Sequence, residues 1–344
     1  MIRPNFPYSL GLRVSLALLL CLFAVPSNAR AQDEDVERVE ANLVRLNVGV
    51  ADRQGRAVTN LTRGDFVVYE DGVRQTITSF EPSAAPFSIV LLLDMSGSTL
   101  RFRATLRQSA LRFLDALSPE DRVAVVSFND KIETLNGFTT DRRKSAYAIT
   151  ELAEGGGNTH FYRGLQHSLS LLAREGSKRR KAVVVLSDGI DTEQRNLDRR
   201  ASSPATTDEE ALRLLKPEAS PTLRAVLDAA DRQGVTIYPL ALPASNPKLL
   251  PTGATPQQSA IYHAARERMN TLAARTGGRL HEINRLEDMG RLYAQVAAEV
   301  RTLYSLTYQS ARTGANDNGR WRAINVEVTR ADLIARTRPG YYAR

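Results

Sequence analysis

Cysteine is almost absent from this sequence, since its 344 residues contain one, Cys21. Cys21 lies inside an apolar stretch near the N-terminus that we predict is removed, so the mature chain is expected to have no cysteine. A chain without cysteine forms no disulfide and offers neither a thiol nucleophile nor a zinc–thiolate site. Those three kinds of chemistry are therefore excluded for the mature protein.

Apolar runs long enough to span a bilayer are also lacking near the N-terminus. The run over residues 14–25 has 12 residues, whereas a spanning helix needs about 20. Arginines precede this run, and the small-x-small cleavage sequence Ala29-Arg30-Ala31 follows it. This order predicts a secretory signal peptide over residues 1–31, with a retained amphipathic anchor as the alternative. We therefore expect an exported bacterial protein, periplasmic or secreted to the cell surface, with no transmembrane span in the mature chain.

The excess of positive over negative charge is small. The formal net charge is +8, and the signal peptide carries three arginines and no acid, so its removal leaves +5. Such a mild bias does not require nucleic acid as a partner, and we expect none. The densest basic run, Lys178-Arg179-Arg180-Lys181, precedes an apolar strand and is predicted to be a solvated loop.

The motifs of the common enzyme classes are missing as well. The sequence has no Gly-x-Ser-x-Gly elbow, no Gly-Lys-Ser/Thr phosphate loop and no His-Glu-x-x-His zinc motif. The four histidines do not combine into a recognisable site, and each is predicted to be a surface or internally satisfied residue. We therefore expect a protein that is not an enzyme and has no catalytic residues.

The most informative stretch is an apolar run that ends in oxygen-bearing side chains. Residues 89–93 have no polar alternation, which predicts a strand buried on both faces of a parallel sheet. Asp94, Ser96 and Ser98 follow at alternate positions. Three hard oxygens suit Mg²⁺, which prefers about six, so further donors are required. Taken alone, the pattern is explained equally well by a turn with local hydrogen bonds.

Two later stretches supply the missing donors. Three glycines lead into Asn158-Thr159 before a predicted helix, and a second apolar strand, residues 182–186, is followed by Asp188-Gly189. Strands alternate with helices here, which predicts a doubly wound, mostly parallel sheet of the Rossmann-like α/β class. Ligands of such sheets bind at the carboxyl ends of the strands.

Both flanks of the α/β region show the alternating pattern of half-buried strands. Because the termini of a domain usually lie close together, we expect the two flanks to join into one smaller β-sandwich-like unit of about six strands. The predicted organisation is a flexible lead-in over residues 32–41, an N-terminal β segment over 42–84, the α/β domain over 87–300 and a C-terminal β segment over 301–344. Within the α/β domain, residues 193–221 are predicted to be a mobile insertion with one short helix near 209–215.

Asp94-Met-Ser96-Gly-Ser98, Gly-Gly-Asn-Thr159 and Ser-Asp188-Gly, each in this structural context, resemble the von Willebrand factor type A (VWFA) domain of secreted bacterial proteins, with a complete metal-ion-dependent adhesion site (MIDAS). The resemblance covers residues 87 to about 300. It implies that Mg²⁺, or Mn²⁺ or Ca²⁺, is bound by five side chains, directly or through water. These are Asp94, Ser96, Ser98, Thr159 and Asp188.

Such a site implies a metal-dependent module for adhesion, protein interaction or assembly in the bacterial envelope. Its open coordination position would accept an Asp or Glu of an unidentified partner protein. His160, Phe161 and Tyr162 are predicted to line the rim, and Asp191 either tunes the site or caps a helix or turn. The alternatives are a Mg²⁺-dependent hydrolase, although no general base is apparent, and a scaffold whose metal is purely structural.

Overall fold

The computed structural model describes residues 43–153, 155–176, 179–249, 253–310 and 319–343. The predicted signal peptide with Cys21 and the predicted lead-in lie outside the described residues. Among the helices within these ranges, none combines the length and the apolar character that crossing a membrane would require.

Strands occupy both ends and the middle of the described chain. Their bounds are β1 Leu43–Asp52, β2 Phe66–Glu70, β3 Val73–Gln75, β4 Ile77–Glu81, β5 Phe87–Asp94, β6 Arg122–Phe128, β7 Ile132–Thr139, β8 Arg180–Ser187, β9 Thr236–Ala241, β10 His281–Glu282, β11 Leu303–Gln309, β12 Trp321–Val328, β13 Leu333–Arg336 and β14 Gly340–Tyr342. They form three sheets, a central one of β5 to β10 and two smaller ones made from the flanks.

The central sheet has the strand order β10-β9-β8-β5-β6-β7, with β7 antiparallel to β6 and the other neighbours parallel. Every residue of β5, β8 and β9 is buried, as expected for apolar strands covered on both faces. The chain passes from β5 to β6 on one side and returns to β8 on the other. The order therefore reverses between β5 and β8, which is where open α/β sheets place their ligand sites.

Helices cover both faces of this sheet. Their bounds are α1 Arg103–Ala116, α2 Arg142–Tyr147, α3 Phe161–Ala173, α4 Thr192–Ala201, α5 Asp208–Leu215, α6 Pro221–Gln233, α7 Pro256–Thr276 and α8 Met289–Arg301. Leu91 and Leu93 of β5 pack in one core cluster with residues of α1 and α8. Val90 and Leu92, which alternate with them, pack in another with residues of α3, α6 and α7. The predicted doubly wound α/β fold is confirmed by this arrangement.

The two flanks join as the sequence predicted, through strands from both ends of the chain. One small sheet has the order β13-β1-β11-β4 and the other β14-β12-β2-β3. Val48 of β1, Tyr304 of β11 and Val326 of β12 belong to one shared apolar cluster. The flanks contain eight strands rather than about six, because residues 73–81 form two strands, β3 and β4, and the last described residues form two more, β13 and β14.

The segment predicted as a mobile insertion contains two helices, α4 and α5, instead of one. Asp191 caps α4 by accepting a hydrogen bond from the Gln194 N–H (3.0 Å), and Thr207 caps α5. Helix α4 was missed because its residues are nearly all polar and give no apolar stripe. It is fixed by an ion pair instead, since Asp198 is bidentate to Arg268 of α7, at 2.6 and 2.8 Å.

The prediction of a solvated loop at 178–181 is wrong for Arg180 and Lys181, whereas Lys178 lies outside the described residues. Arg180 and Lys181 belong to β8 and are buried, so they do not form a solvated loop. Arg180 donates hydrogen bonds to the carbonyl oxygens of Ser83, Ala85 and Leu303, and its guanidinium lies 4.0 Å from the centroid of the Phe87 ring. These contacts make the burial possible, because each backbone acceptor meets a charged donor.

Candidate functional site

Asp94 is the last residue of β5, and its carboxylate is fully buried at the carboxyl edge of the sheet. Its Oδ1 accepts a hydrogen bond from the Ser96 N–H (3.0 Å), and its Oδ2 accepts one from the Ser187 hydroxyl at the end of β8 (2.5 Å). The two central strands are thus joined through this carboxylate. None of the ion pairs among the described residues includes Asp94.

Ser96 immediately precedes a 3₁₀-helix over Gly97–Phe102, whose first turn contains Ser98, so both serines lie in the same place. The hydroxyl oxygens of Ser96 and Ser98 lie 3.1 Å apart. The Thr99 hydroxyl is within hydrogen-bonding distance of two carbonyl oxygens, those of Asp94 (2.9 Å) and Ser96 (3.0 Å). This local network holds the serine hydroxyls beside the end of β5.

The loop that contains Gly156 and Gly157 is attached by backbone hydrogen bonds to the segment that contains Ser96 and Ser98. Gly97 donates to the carbonyl of Gly157 (3.2 Å), and Gly156 donates to that of Met95 (2.9 Å). Gly157 has φ +74°, and a Cβ there would collide with the carboxylate of Asp130. Only glycine fits such a position without strain, which explains its place directly before Asn158-Thr159.

Thr159 is held from the opposite side by the start of α4. Its N–H donates to the Thr192 hydroxyl (3.0 Å), and its carbonyl accepts from the Thr192 N–H (2.9 Å). The side-chain hydroxyl of Thr159 takes no part in these two bonds. It lines the same cleft as Ser98 and Asp188.

Asp188 directly follows β8, the neighbour of β5. Its Oδ1 accepts a hydrogen bond from the Ile190 N–H (3.0 Å), and the Ser98 hydroxyl hydrogen-bonds its carboxylate. The structure therefore brings the predicted metal ligands together at one edge, from three loops that are far apart in sequence.

The electrostatics of the two carboxylates are unfavourable without a cation. Burial, with a smaller contribution from the nearby Asp188, raises the pKa of Asp94 to about 7. Burial also raises the pKa of Asp188, although hydrogen bonds from Ile190 and Ser98 and the more distant arginines partly offset this. Two buried like charges are costly, and a divalent cation between them would remove that cost.

The donor set fits a hard cation such as Mg²⁺. It consists of two carboxylates and three hydroxyls, all oxygen ligands of the kind that Mg²⁺ prefers. Elsewhere in the described ranges, three or more His, Cys, Asp or Glu side chains are nowhere grouped as a metal site would need. Any metal at this edge therefore depends on the hydroxyls of Ser96, Ser98 and Thr159 as well as on the two acids.

A cleft of about 770 Å³ opens at this edge of the sheet, within the usual range for ligand sites. We call it the α4–α7 cleft, because α4 and the first turns of α7 form its far wall. Its lining includes Ser98, Arg101, Thr159, Asp188, Ile190, Arg195, Arg199, Ile261 and Tyr262. Arg195 and Arg199 were not predicted as site residues because α4 itself was not predicted, although the sequence shows their i, i+4 spacing.

The four predicted rim residues, His160, Phe161, Tyr162 and Asp191, are not part of the cleft lining. Phe161 and Tyr162 are buried, packed edge-to-face with each other and in the core cluster beneath α3, so they do not line the rim. Two large aromatic rings gain more from burial than from exposure beside an ion. His160 precedes α3 with Nδ1 3.8 Å from Glu193, and Asp191 acts as the cap of α4.

Comparisons with known proteins place these residues in a family context. Residues 89–190 match the family model of the von Willebrand factor type A domain, which is less than a third of the chain but includes all five predicted ligands. The sequence matches no curated protein.

Solved structures resemble the chain at low identity. A von Willebrand factor type A protein from Catenulispora acidiphila is 12% identical, with 88% of this chain and 74% of that chain covered and a TM-score of 0.44. The pilus adhesin SpaC from Lactobacillus rhamnosus GG is also 12% identical, covering 81% and 41%, with a TM-score of 0.46. An aerotolerance-related membrane protein from Bacteroides fragilis is 14% identical, covering 62% and 98%, with a TM-score of 0.40.

All three TM-scores are below 0.5, so the fold assignment rests on the strand order and not on these likenesses. The family model and the doubly wound sheet agree on the same part of the chain, from β5 to the loop after β8. Together they support a von Willebrand factor type A domain in this protein.

Proposed function

We propose that this protein is an exported, metal-dependent protein-binding module of the bacterial envelope, which captures an acidic side chain of a partner. The observation that carries the proposal is the convergence of five side chains at one edge of the sheet: Ser98, Thr159 and Asp188 line the α4–α7 cleft, and Asp94 and Ser96 are buried next to them. A site with ligands on one side and an open cleft on the other suits the capture of an external group.

The chemistry follows from the charges of the donor set. Two carboxylates balance a divalent cation, while the neutral hydroxyls leave it electrophilic. The bound cation would supply an open coordination position for a carboxylate oxygen. The protein's own residues hold the ligands in place: Ser187 orients Asp94, Ile190 orients Asp188 and Thr192 orients Thr159.

A Mg²⁺-dependent hydrolase is the main alternative. Hydrolysis would need a general base beside the attacking water. Among the described residues that line the cleft, the single acid is Asp188 and none is a histidine. His160, the nearest candidate in sequence, faces Glu193 and is not part of the lining. These observations favour binding over hydrolysis.

The proposal is tested first by metal binding. The purified chain is titrated with MgCl₂, MnCl₂ and CaCl₂ by calorimetry, and its unfolding is followed with and without chelator. A ligand at 100 times its Kd stabilises the native state by about 2.7 kcal/mol, which raises the melting temperature measurably. Asp94→Asn and Ser98→Ala should lose the binding. Ser170→Ala, an exposed serine on α3 that bonds only its own helix, is the matched control and should retain it.

Partner capture distinguishes the three functions. Envelope proteins retained by the wild type in Mg²⁺, but not with chelator or by a folded Asp94→Asn variant, would support metal-dependent binding. Unfolding on removal of the metal, without any change in capture by the folded fraction, would indicate a structural ion. Turnover of generic phosphate or carboxylic ester substrates would favour the hydrolase, and absence of metal binding would refute the site.

A further inference from the structure

The α4–α7 cleft is positively charged beside the predicted metal ligands. Arg101, Arg195 and Arg199 line it, and Asp188 is the one acid in the lining that the structure describes. Arg195 and Arg199 are four residues apart on α4 and therefore lie on one face of that helix. A second anionic group of a ligand would be attracted to this face while the first occupies the metal position.

The guanidinium groups of this face are not held by contacts within the fold, although the charge of Arg195 acts to lower the pKa of Asp188, which burial raises. Within the described ranges, no ion pair or side-chain hydrogen bond involves Arg195 or Arg199, and the buried Nε of Arg195 has no hydrogen-bond partner. Arg268 of α7 is different, because its two terminal nitrogens bond both carboxylate oxygens of Asp198 of α4, although its own Nε has no hydrogen-bond partner. The same helix thus has one carboxylate that anchors it to the fold and two cations that face the cleft.

An apolar patch lies in the same cleft. Ile190 and Ile261 are largely buried, and the half-buried ring of Tyr262 lies one residue after Ile261 on the first turns of α7. A free inorganic anion would gain nothing from such side chains. A polypeptide can place an apolar side chain against them between two acidic residues.

We infer that the α4–α7 cleft selects a partner segment with two carboxylates, the first bound at the metal position and the second by the guanidinium groups of Arg195 and Arg199. This inference rests on the proposed function for the first carboxylate. The second contact uses the fork of each guanidinium, which matches a carboxylate in a planar, charge-assisted arrangement. The arginine face of α4 is thereby a specificity determinant of this chain.

The test uses a displayed library of linear peptides with one fixed Asp and randomised positions on both sides, selected against the full chain in Mg²⁺. Enriched sequences are read out for the wild type and for Arg195→Gln/Arg199→Gln. The matched control is Arg200→Gln, because Arg200 is an exposed residue of the same helix outside the lining. Enrichment of a second Asp or Glu at a preferred spacing is expected for the wild type and the control. The double variant should reduce that preference by about tenfold or more and keep metal-dependent selection of the fixed Asp.

The remaining outcomes separate this inference from the proposed function. An unchanged preference for the second acid in the double variant overturns the inference and leaves the metal site standing. Selection that persists with chelator and in Asp94→Asn overturns the proposed function and, with it, the two-carboxylate inference. A parallel library containing phosphoserine is included, and a stronger preference for phosphate than for carboxylate at the second position also overturns the assignment. So does a failure of the wild type to enrich any acidic peptide.

Discussion

The ion pair between Asp198 of α4 and Arg268 of α7 is expected to hold the wall of the cleft in place. Both side chains are almost completely buried, with 5% and 3% of their surface exposed. Their two short contacts are supplemented by a hydrogen bond from the Gln194 side chain to Asp198 (2.9 Å). Removing one partner of a buried pair leaves the other charge without compensation, which typically costs about 3–5 kcal/mol.

In Asp198→Ala, the free energy needed for local opening of α4 should therefore be much smaller than in the wild type. Hydrogen exchange of the α4 amides, residues 192–201, measures that opening directly, and their protection should fall by about two to four orders of magnitude or vanish. The matched control is Asp332→Ala, because Asp332 and Arg330 form an exposed pair (3.6 Å), whose loss should change the free energy of unfolding by at most about 1 kcal/mol.

A double replacement of the pair gives the decisive comparison. Asp198→Leu with Arg268→Leu removes both charges and should recover most of the protection, because apolar residues of similar volume often replace buried ion pairs without loss. If Asp198→Ala lowers α4 protection by less than about tenfold, the pair does not hold the helix, and the reasoning about the cleft wall is refuted.

Three further perturbations follow from the structure. Arg180→Met should lower the free energy of unfolding by about 3–5 kcal/mol in urea, since three backbone carbonyls lose a charged donor; a change below about 1 kcal/mol would contradict this. In chelator, the melting temperature should rise as the pH falls from about 8 to about 6. The reason is that the pKa of Asp94 in the native state is above its unfolded value, so the stability that protonated Asp94 contributes is present at low pH and is lost as the pH rises through the native pKa. Asp94→Asn should flatten that dependence, and an equal slope in the variant would exclude Asp94 as its source. Gly157→Ala, at positive φ and against Asp130, should cost about 1–2 kcal/mol and weaken Mg²⁺ binding in calorimetry, whereas Gly137→Ala, with open space around it, should stay within about 0.5 kcal/mol.

Local sequence patterns were sufficient for the main elements of the fold. The unalternated apolar runs predicted β5 and β8 as strands buried on both faces, and the alternating flanks predicted half-buried strands. Asp94 and Asp188 could be placed at one edge from sequence alone, because parallel strands share the direction of their carboxyl ends. These inferences depend on the periodicity of neighbouring residues, which is a local property.

The surroundings of the site were decided by contacts between distant residues. Whether Phe161 and Tyr162 face the ion or the core depends on how α3 rotates against the sheet, and the gain from burying both rings decided it. Whether Arg180 is solvated depends on carbonyls that lie up to 123 residues away.

The sequence by itself determined which strands are buried and where the five oxygen ligands stand along the chain. The tertiary structure alone decided that α4 is a wall of the cleft, because its fixing contact joins residues 70 apart in sequence. The same contact turns Arg195 and Arg199 toward the site. A polar helix has no apolar period from which a local pattern could reveal its partner, so its position is set by one buried ion pair that forms only when the whole domain has folded.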